Sequence, residues 1–371
     1  MKTIITTVGT SLFQNFMKKN KGMERTIKVL SEALLHEWDK KLRDIEMLRK
    51  QVKTFANGNP SASAEIESSL QIRKEFGEDI HIMLLASDTV LSRLAAEITA
   101  ECLAPFMDVQ FNEKKDVISG LQAFNYKEFV GQGIPNLVRE VDSRIQSYQD
   151  VYFNITGGYK GAIPYMTIMA QVFHKPTVYL FEDTKKLIVI PKAPITFDFE
   201  LFEAYGDELE QLEEGIDNYP SVKNKNFAAF TALEENGLVE LLGAGATLSP
   251  IGMILYEQYL NQFYSFFCPD NIWKDIQQRP NIKEVLDSEF YLREQRAQRN
   301  KSEDTHKTVY KKAGTEERIY YFENDRRLYI YKVFSVNEHD KHEEYIQKYP
   351  LTNESKERII SQSKRRQWRK K

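Results

Sequence analysis

The stretch that most constrains this chain is Asn154-Ile-Thr-Gly-Gly-Tyr-Lys160, which follows the apolar run Val151, Tyr152, Phe153 and precedes a helix-compatible segment from Ala162 to Phe173. That order predicts a strand, a glycine turn and a helix start. Adjacent glycines let the backbone approach a ligand closely, and the free N–H groups of a first helical turn beside the Lys160 ammonium favour an anion. A phosphate-bearing ligand suits such a turn. An ordinary βα turn with a surface lysine is the competing reading.

Similar turns occur elsewhere. Thr3 to Leu12 reads as a β-branched strand running into Gly9, Thr10 and Ser11, and His81 to Ser87 reads as a strand ending in Asp88 and Thr89 before a helix from Val90 to Glu101. Strands are also expected at Met107 to Phe111, Val151 to Ile155, Thr177 to Phe181 and Leu187 to Ile190, with a helix near Tyr126 to Tyr148. The segment Met23 to Phe76, broken at Gly58, reads as an inserted pair of helices. In an open sheet built from βαβ units the ligand lies beyond the carboxyl ends of the strands, where these polar turns converge. No G-x-G-x-x-G follows the first strand, and there is no Walker lysine motif, so an ordinary dinucleotide or nucleoside triphosphate is not expected.

A length of 371 residues predicts two or three domains. No apolar run is long enough to span a membrane, and Met1 to Thr7 lacks the hydrophobic region of a signal peptide, so a cytoplasmic protein without a membrane partner is expected. Cys102 and Cys268 stand far apart without metal-ligand spacing, and both are expected to be buried thiols; neither a disulfide framework nor a metal site is expected. Residues 291–371 hold 21 Lys and Arg against 13 Asp and Glu, a net +8 that leaves −11 on the first 290 residues. A basic module on an acidic body suggests nucleic acid at the C-terminal end.

Thr7 to Leu12, Ala86 to Thr89 and Asn154 to Lys160 together resemble the CARF domain of CRISPR-associated effectors, over roughly residues 1–200. The resemblance implies an α/β, Rossmann-like sensor that dimerises side by side and binds cyclic oligoadenylate, with cyclic tetra-adenylate favoured over hexa-adenylate as activator and no cofactor besides. It implies ligand contacts from Gly9, Thr10, Ser11, Asp88, Thr89, Asn154, Gly157, Gly158 and Lys160. Residues 201–287 read as a helical, winged-helix-like connector, with a helix closed at Gly237 and another capped by Ser249 and opened by Pro250.

Residues 288–371 read as a small α+β domain. Strands are expected at His306 to Lys312, Arg318 to Phe322 and Leu328 to Ser335, followed by a basic tail from 353 that reads as a solvated charge run meeting RNA phosphates. Residues 285–350 resemble the RelE family of toxin ribonucleases. The resemblance implies metal-independent cleavage of messenger RNA on the ribosome, with Arg318 clamping the scissile phosphate, Lys311 and Lys312 adding positive charge, Tyr345 stacking on a base and His339 as acid or base. His306 and His342 compete for that last role. The whole reads as a messenger RNA nuclease gated by cyclic oligoadenylate in antiviral defence. The alternatives are a transcription regulator working through the winged-helix-like segment, and degradation of the cyclic ligand by the sensor through Thr10, Ser11 or Lys160.

Overall fold

In the computed structural model of the protein, residues 1–371 are described except for 182, 304, 312–316, 325–326 and 336–337, with the backbone alone at 339 and 340. The chain forms two compact units, Met1–Gln258 and Tyr259–Lys371.

The first unit is built on a sheet of β1 (Lys2–Val8), β2 (Ile80–Ser87), β3 (Asp108–Gln110), β4 (Val117–Ile118), β5 (Val151–Asn154), β6 (Thr177–Phe181) and β7 (Lys186–Ile190). Its order is β3-β2-β1-β5-β6-β7, with β4 also on β2; all pairs are parallel except β6 with β7. β1 is β-branched along its length and almost wholly buried, as a central strand covered on both faces must be. Since β1 lies between β2 and β5, the turns after these three strands meet at one edge.

The segment after β1 is more integrated than an insertion. Helices Glu24–Ser31, Leu42–Ala56 and Ala64–Phe76 bury Ile27, Leu48, Val52 and Ile66 in one core with Ile4, Leu84 and Leu94 of the sheet and the helix Val90–Leu103. Ser63 caps the third helix, its Oγ accepting the Ile66 N–H at 3.1 Å.

Residues 201–258 belong to the first compact unit. Helices Tyr219–Lys225 and Phe227–Glu235 precede a hairpin of β8 (Val239–Leu242) and β9 (Gly245–Leu248), and Tyr126 Oη donates to Glu240 at 2.8 Å. The helix Pro250–Gln262 follows, with Ser249 Oγ accepting the Gly252 N–H at 3.0 Å.

On that helix, burial pushes the Glu257 carboxyl up to about 7, Asp142 and Glu213 reinforcing the effect and Arg139, 3.8 Å away, opposing it. A group raised in the folded state stabilises the fold below its unfolded value, near 4.5, and loses that contribution as pH rises to about 7. Glu257→Gln is therefore expected to match the wild type at pH 4 and to exceed it by up to about 3 kcal/mol at pH 8 in chemical denaturation.

The second unit holds a sheet of β10 (Phe263–Pro269), β11 (Asn300–Glu303), β12 (His306–Lys311), β13 (Arg318–Asn324), β14 (Arg327–Phe334) and β15 (Ser363–Arg369), in the order β11-β12-β13-β14-β10-β15. Only β10 with β14 is parallel. Alternate residues feed two cores: Ile319, Tyr321, Ile330 and Val333 pack under helices Asp270–Gln277 and Pro280–Ser288, while Tyr320, Phe322, Tyr331 and Phe334 pack with Tyr345, Ile359 and Ile360. Residues 263–288 supply a strand and two helices to this unit. The basic tail is ordered: 353–362 is helical, and β15 pairs along all of β10, buries Trp368 and directs Lys364 and Arg366 to Asp270.

Candidate functional sites

At the strand ends of the first unit, the expected glycine turns are in backbone contact. A Cβ on Gly9 would stand 2.4 Å from the Gly158 carbonyl oxygen, and Gly158 has φ +112° with its own Cβ position 2.1 Å from Thr7 Oγ1. Asn154 is fully buried; its Nδ2 donates to Ser68 Oγ at 2.8 Å and its Oδ1 accepts the Thr156 N–H at 3.1 Å, fixing the start of the turn.

A carboxylate already sits in this turn. Glu65, 1% exposed on the helix Ala64–Phe76, accepts the Gly9 and Gly158 N–H groups on Oε1, each at 2.9 Å, and the Ser11 hydroxyl on Oε2 at 2.8 Å. Gly157 lies against it, so that a Cβ there would come within 2.9 Å of the carboxyl carbon. Three donors expected to face a ligand therefore hold an internal anion. Nothing in the sequence marks Glu65, since it meets Gly158 across 93 positions.

The remaining expected contacts lie on the same two turns or on the turn that follows β2. Thr10 is half-buried and Lys160 exposed. Asp88 is half-buried, its Oδ2 accepting the Gly120 N–H at 2.9 Å, while Thr89 caps the helix Val90–Leu103 by accepting the Ser92 N–H at 3.3 Å. Both therefore have local structural duties.

In the second unit, Arg318 and Tyr345 both adjoin Tyr320, the first through Glu303 and the second by ring packing at 5.9 Å. Arg318, 8% exposed at the start of β13, donates from Nε to Glu303 at 3.2 Å. Glu303 also takes the Tyr320 hydroxyl and lies 2.8 Å from His342 Nε2, which is 2.5 Å from the same hydroxyl. Burial pushes the Glu303 carboxyl up, but the hydrogen bonds from Tyr320 and His342 and the charges of His342 and Arg318 outweigh it and hold the group below its ordinary value. Lys311 lies opposite Arg318 on β12. Lys312 lies outside the described residues, and of His339 the backbone alone is placed, opening the helix His339–Lys348.

Tyr345, packed against Tyr320, also lines a cavity of 860 Å³ walled by His306, Tyr331, Lys332, Lys348 and Arg358. His306 Nδ1 is 2.8 Å from the Tyr331 hydroxyl, and its ring packs 5.6 Å from that of Tyr345. Lys332 Nζ stands 5.6 Å over the Tyr345 ring. Burial, with Tyr349 adding to it, pushes the Tyr345 phenol up to about 12, and burial raises Tyr331 further still. Both phenols are hydrogen-bond donors at neutral pH. Lys332, Lys348 and Arg358 were not singled out from the sequence, because each reaches the cavity from a different element, β14 or one of two helices.

Among the described residues, no cluster of His, Cys, Asp and Glu could hold a metal ion, and no helix is long and apolar enough to cross a membrane. Cys268 is buried, as expected, whereas Cys102 is half-buried; both are free thiols.

No curated protein matches the chain. Among solved structures, Can2 from Sulfobacillus thermosulfidooxidans in complex with cyclic tetra-adenylate aligns at 10% identity and a TM-score of 0.21, over 76% of this chain and 85% of that one. Residues 60–193 match the model of a family described as CRISPR-associated protein (Cas_APE2256), so the stretch from Glu65 through Asp88 and Thr89 to Lys160 is similar to a CRISPR-associated family.

Proposed function

We propose that the first unit is a cyclic oligoadenylate sensor and the second an RNA-cleaving head, which together act on ribosome-bound messenger RNA in type III CRISPR defence. The observation that carries the sensor reading is the meeting of the β1 and β5 turns in an anion nest, whose Glu65 and Gly158 lie in the region that matches the CRISPR-associated family. Two copies side by side would present two such nests to one ring, and cyclic tetra-adenylate is the preferred activator in this reading.

The nuclease reading is supported by the cavity of the second unit. Cleavage by the ribose 2′-oxygen forms a bond to phosphorus as the bond to the 5′-oxygen breaks; one proton leaves the 2′-oxygen and one reaches the 5′-oxygen. Such a reaction needs cations for the growing phosphoryl charge, proton donors and a base. Lys332, Lys348 and Arg358 supply the charge, Tyr331 and Tyr345 are phenols kept protonated, and His306 has the ring whose ordinary range suits proton transfer near neutral pH. Arg318 serves this site indirectly, by bracing β13.

Cyclic tetra-adenylate is expected to raise the melting temperature of the full chain and to switch on messenger RNA cleavage in translating ribosomes. A melting curve indifferent to both ring sizes sinks the sensor reading; binding without any cleavage sinks the nuclease. Lys160→Glu reverses an exposed charge at the lip of the nest and is expected to weaken ring binding at least ~10-fold without lowering stability, as titration calorimetry and thermal melts would show.

A further inference from the structure

The buried Glu65 carboxylate is the least expected group in the first unit. Among the described residues, no lysine, arginine or histidine forms an ion pair with it. Its charge is carried by two backbone N–H groups and a serine hydroxyl, donors drawn from both glycine turns. Buried ions are ordinarily matched by a countercharge, whereas concave clusters of backbone N–H groups are how proteins hold phosphate. The nest is thus shaped for an oxyanion, and the chain supplies one of its own.

We propose that Glu65 is an internal stand-in for phosphate, holding the ligand-free arrangement of the two turns until a phosphodiester group of the ring displaces it. This rests on the sensor reading above. The exchange is one anion for another on the same donors, so the N–H groups stay satisfied throughout. Displacement requires the first turn of the helix Ala64–Phe76 to move. Its lead-in allows this: Ser63 is in extended backbone, and Asn57 to Ser61 form a largely exposed loop containing Gly58 at φ +67°. Movement of that helix would also release the Asn154 bond to Ser68, and so report occupancy of the nest to β5.

Two measurements on the full chain test the exchange. Glu65→Gln keeps a carbonyl oxygen for the N–H groups but removes the competing charge, so cyclic tetra-adenylate is expected to bind it at least ~10-fold more tightly than the wild type. Hydrogen exchange on the wild type is expected to quicken at the amides of residues 64–69 when the ring is added. A folded Glu65→Gln chain that binds equally or more weakly, or a ring that slows exchange across residues 64–69, overturns the proposal and makes Glu65 a fixed strut. Those outcomes leave the sensor reading standing, because both start from measurable wild-type binding. A wild type that binds no ring removes both.

Discussion

Gly158→Ala is expected to cost the first unit about 3–5 kcal/mol, by summing the usual penalties for positive φ and for overpacking. At φ +112° an L side chain is strained even in open space, and here the methyl group would fall 2.1 Å from Thr7 Oγ1 and 2.8 Å from the Thr7 carbonyl oxygen. Thr7 lies on the central strand, so neither atom can retreat without disturbing β1. Gly58→Ala is the control. Its φ is +67° with nothing within 4 Å, so it carries backbone strain without the clash and should cost about 1 kcal/mol. Denaturant unfolding of the two variants isolates the steric part. Equal losses would mean that the close contact between the turns is not rigid.

Arg318→Ala is expected to lower the stability of the second unit by about 3–5 kcal/mol, as removal of one partner of a buried ion pair usually does. Glu303 would keep the Tyr320 and His342 bonds but lose the nearby guanidinium, while only 18% of its side chain reaches solvent. Adding Glu303→Gln removes the stranded charge, so the double variant should recover part of the loss. The pH dependence gives an independent check. With its carboxyl held below the ordinary value, Glu303 contributes stability above about 4.5, lost as pH falls through its folded value. Arg318→Ala should flatten that acid limb of the stability profile. Loss of RNA cleavage in Arg318→Ala is therefore ambiguous, and Lys332→Ala or Arg358→Ala probes the chemistry with less damage to the fold.

Much of the first unit can be read from its sequence because its strands are dense β-branched or apolar runs. β1, β2 and β5 to β7 lie within two residues of where those runs place them, and the turns at Gly9, Asp88 and Gly158 follow as strand ends. Glu65 is not legible, since one carboxylate near the start of a helix looks like any residue that favours a helix N-terminus. Two strands of the second unit were hidden for opposite reasons. β10 is an aromatic run immediately after a helix, with no alternation to separate core from surface, because both its faces are covered. β15 reads as a string of charges. Its strand state comes from pairing with β10, from Trp368 in the core and from Asp270 beside Lys364 and Arg366, none of which local propensity reveals.

That last pairing bears on how the protein is made. Phe263 meets Arg369 and Pro269 meets Ser363. About one hundred residues must therefore leave the ribosome before β10 gains its outer neighbour, and until then its aromatic border waits for a mate. A nascent chain would consequently carry its first unit complete and its second unfinished while residues 259–369 are being made, which delays any activity of the second unit until synthesis has passed residue 369.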